Sequence, residues 1–508
     1  MWPKSLNEIA QILGSPLPAE LSQSSLGAAS RPIHALSTDS RSVGAGELFV
    51  AVRGEIHDGH SFVESALQRG ACAAIVERQW LEQHGQWRER CLAVENTTEG
   101  LRRLAQAFRR EFKFPVLAVG GSNGKTTTKE MLSCLLTAMG TPITRTHKSE
   151  NGFLGLAMTL TQRTHAADHL PKALVAEIGI DAVGAMTEHV AIADPDIALL
   201  TALGPEHLAG LGSWETAVEE ELLLFRRSAK NCKRVWQLCE PQLVKVSHEV
   251  RAGDVIVYTG QPESVLTPSV FSLLKSGEIA ALSFDVVGQR ATETRIRAQW
   301  TSVQQGGWQS EFSIPLPGIH NAHNFALALA TAALVGLSAD TLQVAWKAFV
   351  PPDMRSRIVK LQQGVTLYDD SYNASPASMD AALDALLSEE WQSKHKIMVL
   401  GDMLDLGNES KSWHLKLVPK ILKIPNSHLC LFGSAMYDVY TEIKTHYSHV
   451  LRSENIQMQH AAQQENPAEF VNTLRTSLPG SVVLVKGSRG MDLGRFVKAC
   501  EAWSLAQG

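Results

Sequence analysis

The chain has 508 residues, 44% of them hydrophobic and 19% charged, with a formal net charge of −5. That length suits several domains with separate cores, and that charge gives no electrostatic reason to expect nucleic acid or an anionic membrane as partner. Seven cysteines scattered without a CxxC pair argue for reduced thiols in a cytoplasm, against a disulfide framework and against a zinc site.

At the N-terminus, Ser5 and Glu8 have capping-box spacing, and Leu6, Ile9, Ile12 and Leu13 form one apolar helical stripe. This is not a signal-peptide pattern, and no apolar segment approaches the roughly 20 residues needed to cross a bilayer. A cytoplasmic protein without a membrane span is expected. Residues 14–31, rich in Ser, Ala, Pro and Gly, read as a loop. Short strands at 48–52 and 73–76 alternate with helices, a basic amphipathic helix covers 101–112, and Pro115 then breaks the chain. The first domain is expected to span 1–111.

The segment 116–136 carries the strongest chemical signal. An apolar strand, 116–119, stops at Gly120-Gly121, and Ser122-Asn123-Gly124-Lys125-Thr126-Thr127-Thr128 leads into a helix over 129–136. Strand, glycine turn and helix N-terminus form an anion cradle: backbone N–H groups converge on phosphate oxygens, and Lys125 reaches the terminal phosphates. Thr126 is placed to ligate Mg²⁺ on a bound ATP. Position 119 is Val, so the loop departs from the GxxxxGK[ST] pattern. A Gly-Lys-Thr alone is as easily an ordinary turn; the flanking strand and helix favour the phosphate loop.

Strands at 173–177 and 196–201 with helices between them predict a parallel sheet wrapped by helices. Residues 254–316 read as a β-rich insertion, and a helix from 322 to 335 closes a second domain, 112–348. Ligands of such a sheet bind at the carboxyl ends of its strands, where Glu177 and His207 fall. Glu177 and Thr126 suit one Mg²⁺. Singly, a strand-end Glu is also a helix cap and a lone His a structural residue; their shared position points to the site. Asn321 and Asn324 can read an adenine edge or cap the helix that follows.

After Pro351-Pro352 the alternation resumes, with strands at 365–368, 396–400, 428–432 and 482–485. This predicts a third domain, 349–508, of Rossmann-like type without a GxGxxG fingerprint. Arg355 and Arg357 stand at its start. Loops holding Asp370, Asn373 and Ser375, residues 401–407, and Lys486, Ser488 and Arg489 each follow a strand and should face one cleft. Each loop by itself is also readable as a turn with a solvated charge.

Together these motifs resemble the Mur ligases, ATP-dependent amide-forming enzymes of peptidoglycan precursor synthesis. The resemblance runs nearly end to end, through Thr38 to Arg41, 46–51 with Asp58 to His60, Gly121 to Thr126, 151–155, Glu177, His207 and Leu208. It continues through Gly212-Ser213, His320-Asn321 with Asn324, Asp369 to Pro376, 399–407 with His414, and Lys486 to Arg489. Asp-Asp-Ser-Tyr-Asn-Ala and Lys-Gly-Ser-Arg are similar to the branch that adds a D-alanyl-D-alanine dipeptide. The Tyr-Ala-His-Thr-Pro type stretch of the diamino-acid-adding branch is absent.

The resemblance implies an α/β chain of three domains: an N-terminal α/β domain for a UDP-linked substrate, a central P-loop ATPase domain and a C-terminal Rossmann-like domain. It implies ATP and Mg²⁺, UDP-N-acetylmuramoyl-tripeptide and D-alanyl-D-alanine as reactants, and a monomer. An acyl phosphate would form at the tripeptide carboxylate and be captured by the incoming amine. By family position Gly121 to Thr127 cradle the phosphates, Lys125, Glu177 and His207 are catalytic, Thr126 and Glu177 hold the first Mg²⁺, and His207 a second. Asn321 and Asn324 would contact adenine, Asp370 the ribose, and Arg355 or Arg357 the phosphates. Ser40, Arg41 and Asn151 would bind the nucleotide-sugar peptide; Asn373, Ser375, Lys486, Ser488 and Arg489 would face the dipeptide. Two positions depart from the family: Glu221 replaces a lysine that relatives carbamylate, and Ala202 replaces an Asn. Glu221 is expected either to supply the same charge to the second metal or to lie on a solvated helix face. The competing readings are diamino-acid addition, folylpolyglutamate synthesis, which the full-length first domain disfavours, and a non-catalytic nucleotide-binding homologue.

Overall fold

The computed structural model describes residues 2–17, 32–54, 57–140, 142–162, 170–461 and 466–506, so most of the loop expected over 14–31 lies outside the described residues. Helix α1, Leu6–Leu13, begins with the expected reciprocal cap. Ser5 Oγ accepts from the Glu8 N–H at 3.3 Å, and the Glu8 carboxylate accepts from the Ser5 N–H at 2.7 Å. The stripe Leu6, Ile9 and Leu13 is buried against helix α2, Thr97–Glu111. That helix starts four residues before the hydrophobic pattern predicts, because Asn96 caps it by accepting from the Glu99 N–H at 2.8 Å.

Among the described residues the strands form three sheets of four, nine and six strands. The first is parallel, in the order β1 (Ala35–Ser37), β2 (Glu47–Val50), β3 (Ala73–Glu77), β4 (Cys91–Val94).

The second contains β5 (Val116–Gly120), β6 (Ile143–Arg145), β7 (Ala173–Glu177), β8 (Ile197–Leu200), β9 (Lys233–Gln237), β10 (Val255–Tyr258), β11 (Ala280–Gln289), β12 (Thr294–Thr301) and β13 (Trp308–Ile314). Its order, β13-β12-β11-β10-β9-β8-β5-β7-β6, places β5 between β7 and β8, where successive crossovers leave in opposite directions. A crevice opens at such a switch point, and the phosphate loop leaves β5 there. The β-rich stretch expected at 254–316 is present, but it is not an insertion. Strands β10 to β13 extend this same sheet, with antiparallel pairing only between β11 and β12 and between β12 and β13, and two Pro-initiated helices, Pro262–Val265 and Pro268–Ser276, lie within the stretch.

Strand β12 alternates buried and exposed residues along its length, so one face meets the core. Helix α4, Ile319–Leu334, covers that face. Its alanines allow close approach to helix α3, Lys125–Leu136, and Phe325 packs on Phe312 and Trp346.

The third sheet contains β14 (Arg357–Lys360), β15 (Thr366–Asp370), β16 (Lys396–Gly401), β17 (Ser427–Phe432), β18 (Ile456–Ala461) and β19 (Val482–Lys486), in the order β14-β15-β19-β16-β17-β18. All pairs are parallel except β14 with β15. The carboxyl ends of β15, β19 and β16 deliver neighbouring loops toward the phosphate loop. No helix among the described residues is long and apolar enough to cross a membrane.

Candidate active site

The phosphate loop is held from below. The N–H groups of Ser122 and Asn123 both donate to the Ala202 carbonyl at 3.0 Å, pinning the loop to the end of β8. This contact is backbone on both sides, so it is indifferent to the side chain at 202. Gly124 has φ 89, and a Cβ there would collide with the Asn324 side chain. Glycine thus satisfies both a left-handed backbone and close approach to α4. Lys125, at the start of α3, donates to the Ser122 carbonyl at 2.8 Å and lies 3.5 Å from Glu206 Oε2.

Beside it, Thr126 Oγ1 donates to Glu177 Oε1 at 2.9 Å, Asn151 Nδ2 donates to the same oxygen at 3.0 Å, and Ser149 Oγ stands 3.1 Å from Thr126 Oγ1. Glu177 is buried, and its Oε2 lacks an aligned hydrogen-bond donor, having only a charge contact with Lys129 at 3.2 Å. A hydroxyl and an under-coordinated carboxylate at a strand end are oxygen donors of the kind a hard cation takes, so Thr126 and Glu177 fit Mg²⁺.

His207 is left-handed at φ 52, which aims its ring at the cleft. Its Nε2 lies 3.4 Å from Glu206 Oε1 and its Nδ1 3.8 Å from Asp405 Oδ2 of the third domain. The hydrogen bond to Glu206 raises the His207 pKa against the effect of burial. Burial works against ionisation of Glu206, but Lys125 and His207 outweigh it and hold that carboxyl below its usual range.

The third domain closes the cleft. Arg355 donates to Ser149 Oγ at 3.2 Å, with its guanidinium 4.2 Å above the Tyr372 ring. Ser375, N-cap of helix α5 (Pro376–Leu386), donates to Asn123 Oδ1 at 2.5 Å. Asp370 accepts from the Ser356 N–H at 2.8 Å and pairs with Lys486, which also donates to the Asn373 carbonyl at 3.1 Å. Ser488 Oγ accepts from the Leu404 N–H at 2.8 Å and so holds the 402–407 loop. The resulting cleft, of about 410 Å³, is lined by Ser122 to Thr127 and by Asn151, Glu177, His207, Asn321, Asn324, Arg355, Asp370, Asn373, Ser375, Lys486, Ser488 and Arg489. His320 also lines it; burial pulls that imidazole down to about 4, so it stands neutral. Asn321 spends part of its amide on the Pro317 carbonyl at 2.7 Å.

Several expected residues are not in this cleft. Glu221 lies buried beneath the loop, where its Oε2 accepts from the Gly121 N–H at 2.8 Å. It is therefore not on a solvated face, and one of its oxygens is already committed to the amide of Gly121. Gly121 is likewise under the loop, packed on Thr201. Arg357 sits in the edge strand β14, 3.4 Å from Asp353, and only Arg355 of that pair reaches the cleft. Ser40 and Arg41 belong to the first sheet's loops, where Arg41 is exposed and bonded to Asp39. Glu206, Ser149 and Lys129 were not singled out from the sequence. Glu206 directly precedes His207 and shares its position past the end of β8.

Three family models match the chain: "Mur ligase family, catalytic domain" over residues 32–109, "Mur ligase middle domain" over 119–332, and "Mur ligase, glutamate ligase domain" over 354–489. The chain is 28% identical over 472 residues to the UDP-N-acetylmuramoyl-tripeptide--D-alanyl-D-alanine ligase of Bacillus subtilis, covering 92% of this chain and 93% of that one. The ligase of the same name from Treponema pallidum is 29% identical over 476 residues, covering 92% and 93%. Among solved structures, the MurF ligase of Thermotoga maritima in complex with ADP aligns with a TM-score of 0.71 at 25% identity, over 93% of this chain and 98% of that one. MurF from Acinetobacter baumannii shares the fold with a TM-score of 0.75 at 23% identity, over 98% and 99%.

Proposed function

The chain belongs to the Mur ligase family, and we propose that it is the ATP-dependent ligase that joins D-alanyl-D-alanine to UDP-N-acetylmuramoyl-tripeptide in peptidoglycan precursor synthesis. The observation that carries the chemistry is the single cleft in which the phosphate loop of one domain meets the strand-end loops of the next. Boundaries at 111/112 and 348/349 divide the work into nucleotide-sugar binding, ATP binding and amine delivery. A cytoplasmic monomer fits this division of labour.

A carboxylate is a poor electrophile and ATP supplies its leaving group. The tripeptide's terminal carboxylate oxygen attacks the γ-phosphorus, ADP leaves, and an acyl phosphate forms. The dipeptide's amine then attacks the acyl carbon, the C–O bond to phosphate breaks, and an amide and inorganic phosphate result. Lys125, positioned at the start of α3 by the Ser122 carbonyl and Glu206, offsets charge on the transferring group. Thr126 and Glu177 would hold Mg²⁺, which supplies charge neutralisation at the phosphates, and His207 would be a ligand for a second ion. Arg355 meets the phosphates from across the cleft, Asp370 the ribose, and Asn324 the base. Asn373, Ser375, Lys486, Ser488 and Arg489 face the dipeptide, and Asn151 the activated carboxylate. Closure of the third domain excludes the water that would hydrolyse the acyl phosphate.

Phosphate release assayed over a substrate panel tests the assignment. Release is expected only when ATP, the UDP-muramoyl-tripeptide and D-alanyl-D-alanine are all present. Release with UDP-muramoyl-dipeptide and a diamino acid would move the assignment to the neighbouring branch, and release with no pair would leave a nucleotide-binding homologue.

A further inference from the structure

The mechanism leaves unused a lysine with no exposed surface at all. Lys129 lies one turn beyond Lys125 on α3. Its ammonium donates to the Thr146 carbonyl at 3.1 Å and to the Lys148 carbonyl, and it faces Glu177 Oε2 at 3.2 Å. Glu130 Oε1, at 3.4 Å, is the other carboxylate near it. An ammonium has three donors; two go to these carbonyls, and the two carboxylates stand in charge contact with it. Burying such a charge costs several kcal/mol where it is not matched this closely, so packing alone would favour an apolar side chain in this helix.

What the ammonium holds explains its placement. Thr146 and Lys148 flank a sharp turn in which Lys148 is left-handed, at φ 47. The next residue, Ser149, stands 3.1 Å from Thr126 Oγ1 and accepts from Arg355 of the third domain. Two residues further, Asn151 holds Glu177 Oε1, and the Glu177 N–H donates to Thr146 Oγ1 at 3.0 Å. We propose that Lys129 is a positioning residue. Its charge holds the Glu177 carboxylate in place without taking a hydrogen bond at Oε2, leaving Oε1 to Thr126 and Asn151, and it fixes the 146–149 turn so that Ser149 links the phosphate loop to Arg355. The inference rests on the ligase reading, in which Thr126 and Glu177 hold a divalent cation.

The test uses the full chain with Lys129→Met, hydrogen exchange of 146–151, and ADP binding by calorimetry with and without Mg²⁺. The Glu150 amide donates to the His147 carbonyl within the turn and reports on it directly, while the Thr146 amide donates to the Val175 carbonyl of β7 and reports on the turn's attachment to the sheet. Exchange there is expected to quicken by roughly tenfold or more. Metal-free ADP should bind about as in the parent, and the tightening that Mg²⁺ gives should be lost. Turnover should fall roughly a hundredfold with little change in the KM for ATP, as for a misplaced reacting geometry. A Met variant that melts earlier but keeps parent-like exchange in the turn and a parent-like Mg²⁺ effect makes Lys129 a packing residue and overturns the proposal. If Lys129→Met does not fold, Lys129→Gln, which keeps donors for the carbonyls without the charge, should protect the turn yet lose the Mg²⁺ effect; retention of that effect overturns the proposal equally. A parent whose ADP affinity ignores Mg²⁺ would count against the cation site itself, while exchange in the turn still decides the clamp.

Discussion

Replacing Glu221 separates two roles for a carboxylate beneath a phosphate loop. In the folded protein burial pushes its pKa from 4.5 to about 7. A carboxyl whose folded pKa is raised binds more protons folded than unfolded, so its contribution to stability is complete below pH 4.5 and is lost as pH rises through about 7. That interval corresponds to about 3 kcal/mol. Glu221→Gln keeps an acceptor for the Gly121 N–H and removes the titration, so its stability relative to the parent should climb by up to about 3 kcal/mol between pH 4.5 and pH 8. Glu221→Ala leaves that buried N–H unpaired, at a cost of about 1–3 kcal/mol at low pH, before any cavity cost. Urea unfolding of the three proteins at pH 5, 7 and 8 reads both effects. Parallel pH curves for parent and Gln variant would refute the buried-anchor reasoning. A Gln variant that also loses its Mg²⁺ requirement for turnover would return Glu221 to the metal.

Three further outcomes are expected. Gly124→Ala would drive a Cβ into Asn324 at a positive φ, so ADP binding should weaken by about tenfold or more and the melting temperature should fall as well; binding equal to the parent's would remove this contact from the site. Glu206→Gln removes the partner that raises His207, so the imidazole's titration, followed by NMR, should shift to lower pH; an unmoved titration would show that Glu206 does not govern it. Lys125→Ala should lower phosphate release by about 10²–10³-fold with the fold intact, and activity near the parent's would exclude Lys125 from the phosphates.

The phosphate loop was legible because three local signals coincide there: an apolar strand, paired glycines and a helix start. The parallel sheets were legible for the same reason, as buried strands of β-branched and aliphatic residues announce themselves singly. How strands pair is a long-range fact. Nothing in residues 280–314 says that β11 to β13 continue the central sheet, because alternating antiparallel strands look alike whether they extend a sheet or start one. Glu221 illustrates another limit. Its position in an acidic run suggests solvent, yet the Gly121 amide, 100 residues away, determines where it goes. Lys129 is invisible in the sequence because a lysine on an amphipathic helix reads as solvated, whereas the carbonyls of 146 and 148 and the Glu177 carboxylate come from two distant segments. Arg355 and Arg357 are equivalent on paper, and only the antiparallel edge pairing of β14 sends them to different places.

The central claim is that this cleft activates a carboxylate by phosphorylation. It is tested most directly by turnover of UDP-N-acetylmuramoyl-tripeptide labelled with ¹⁸O in its terminal carboxylate, in the presence of ATP and D-alanyl-D-alanine. One labelled oxygen is expected to leave in each inorganic phosphate formed and the other to remain in the new amide. Amide formation with unlabelled phosphate would contradict it.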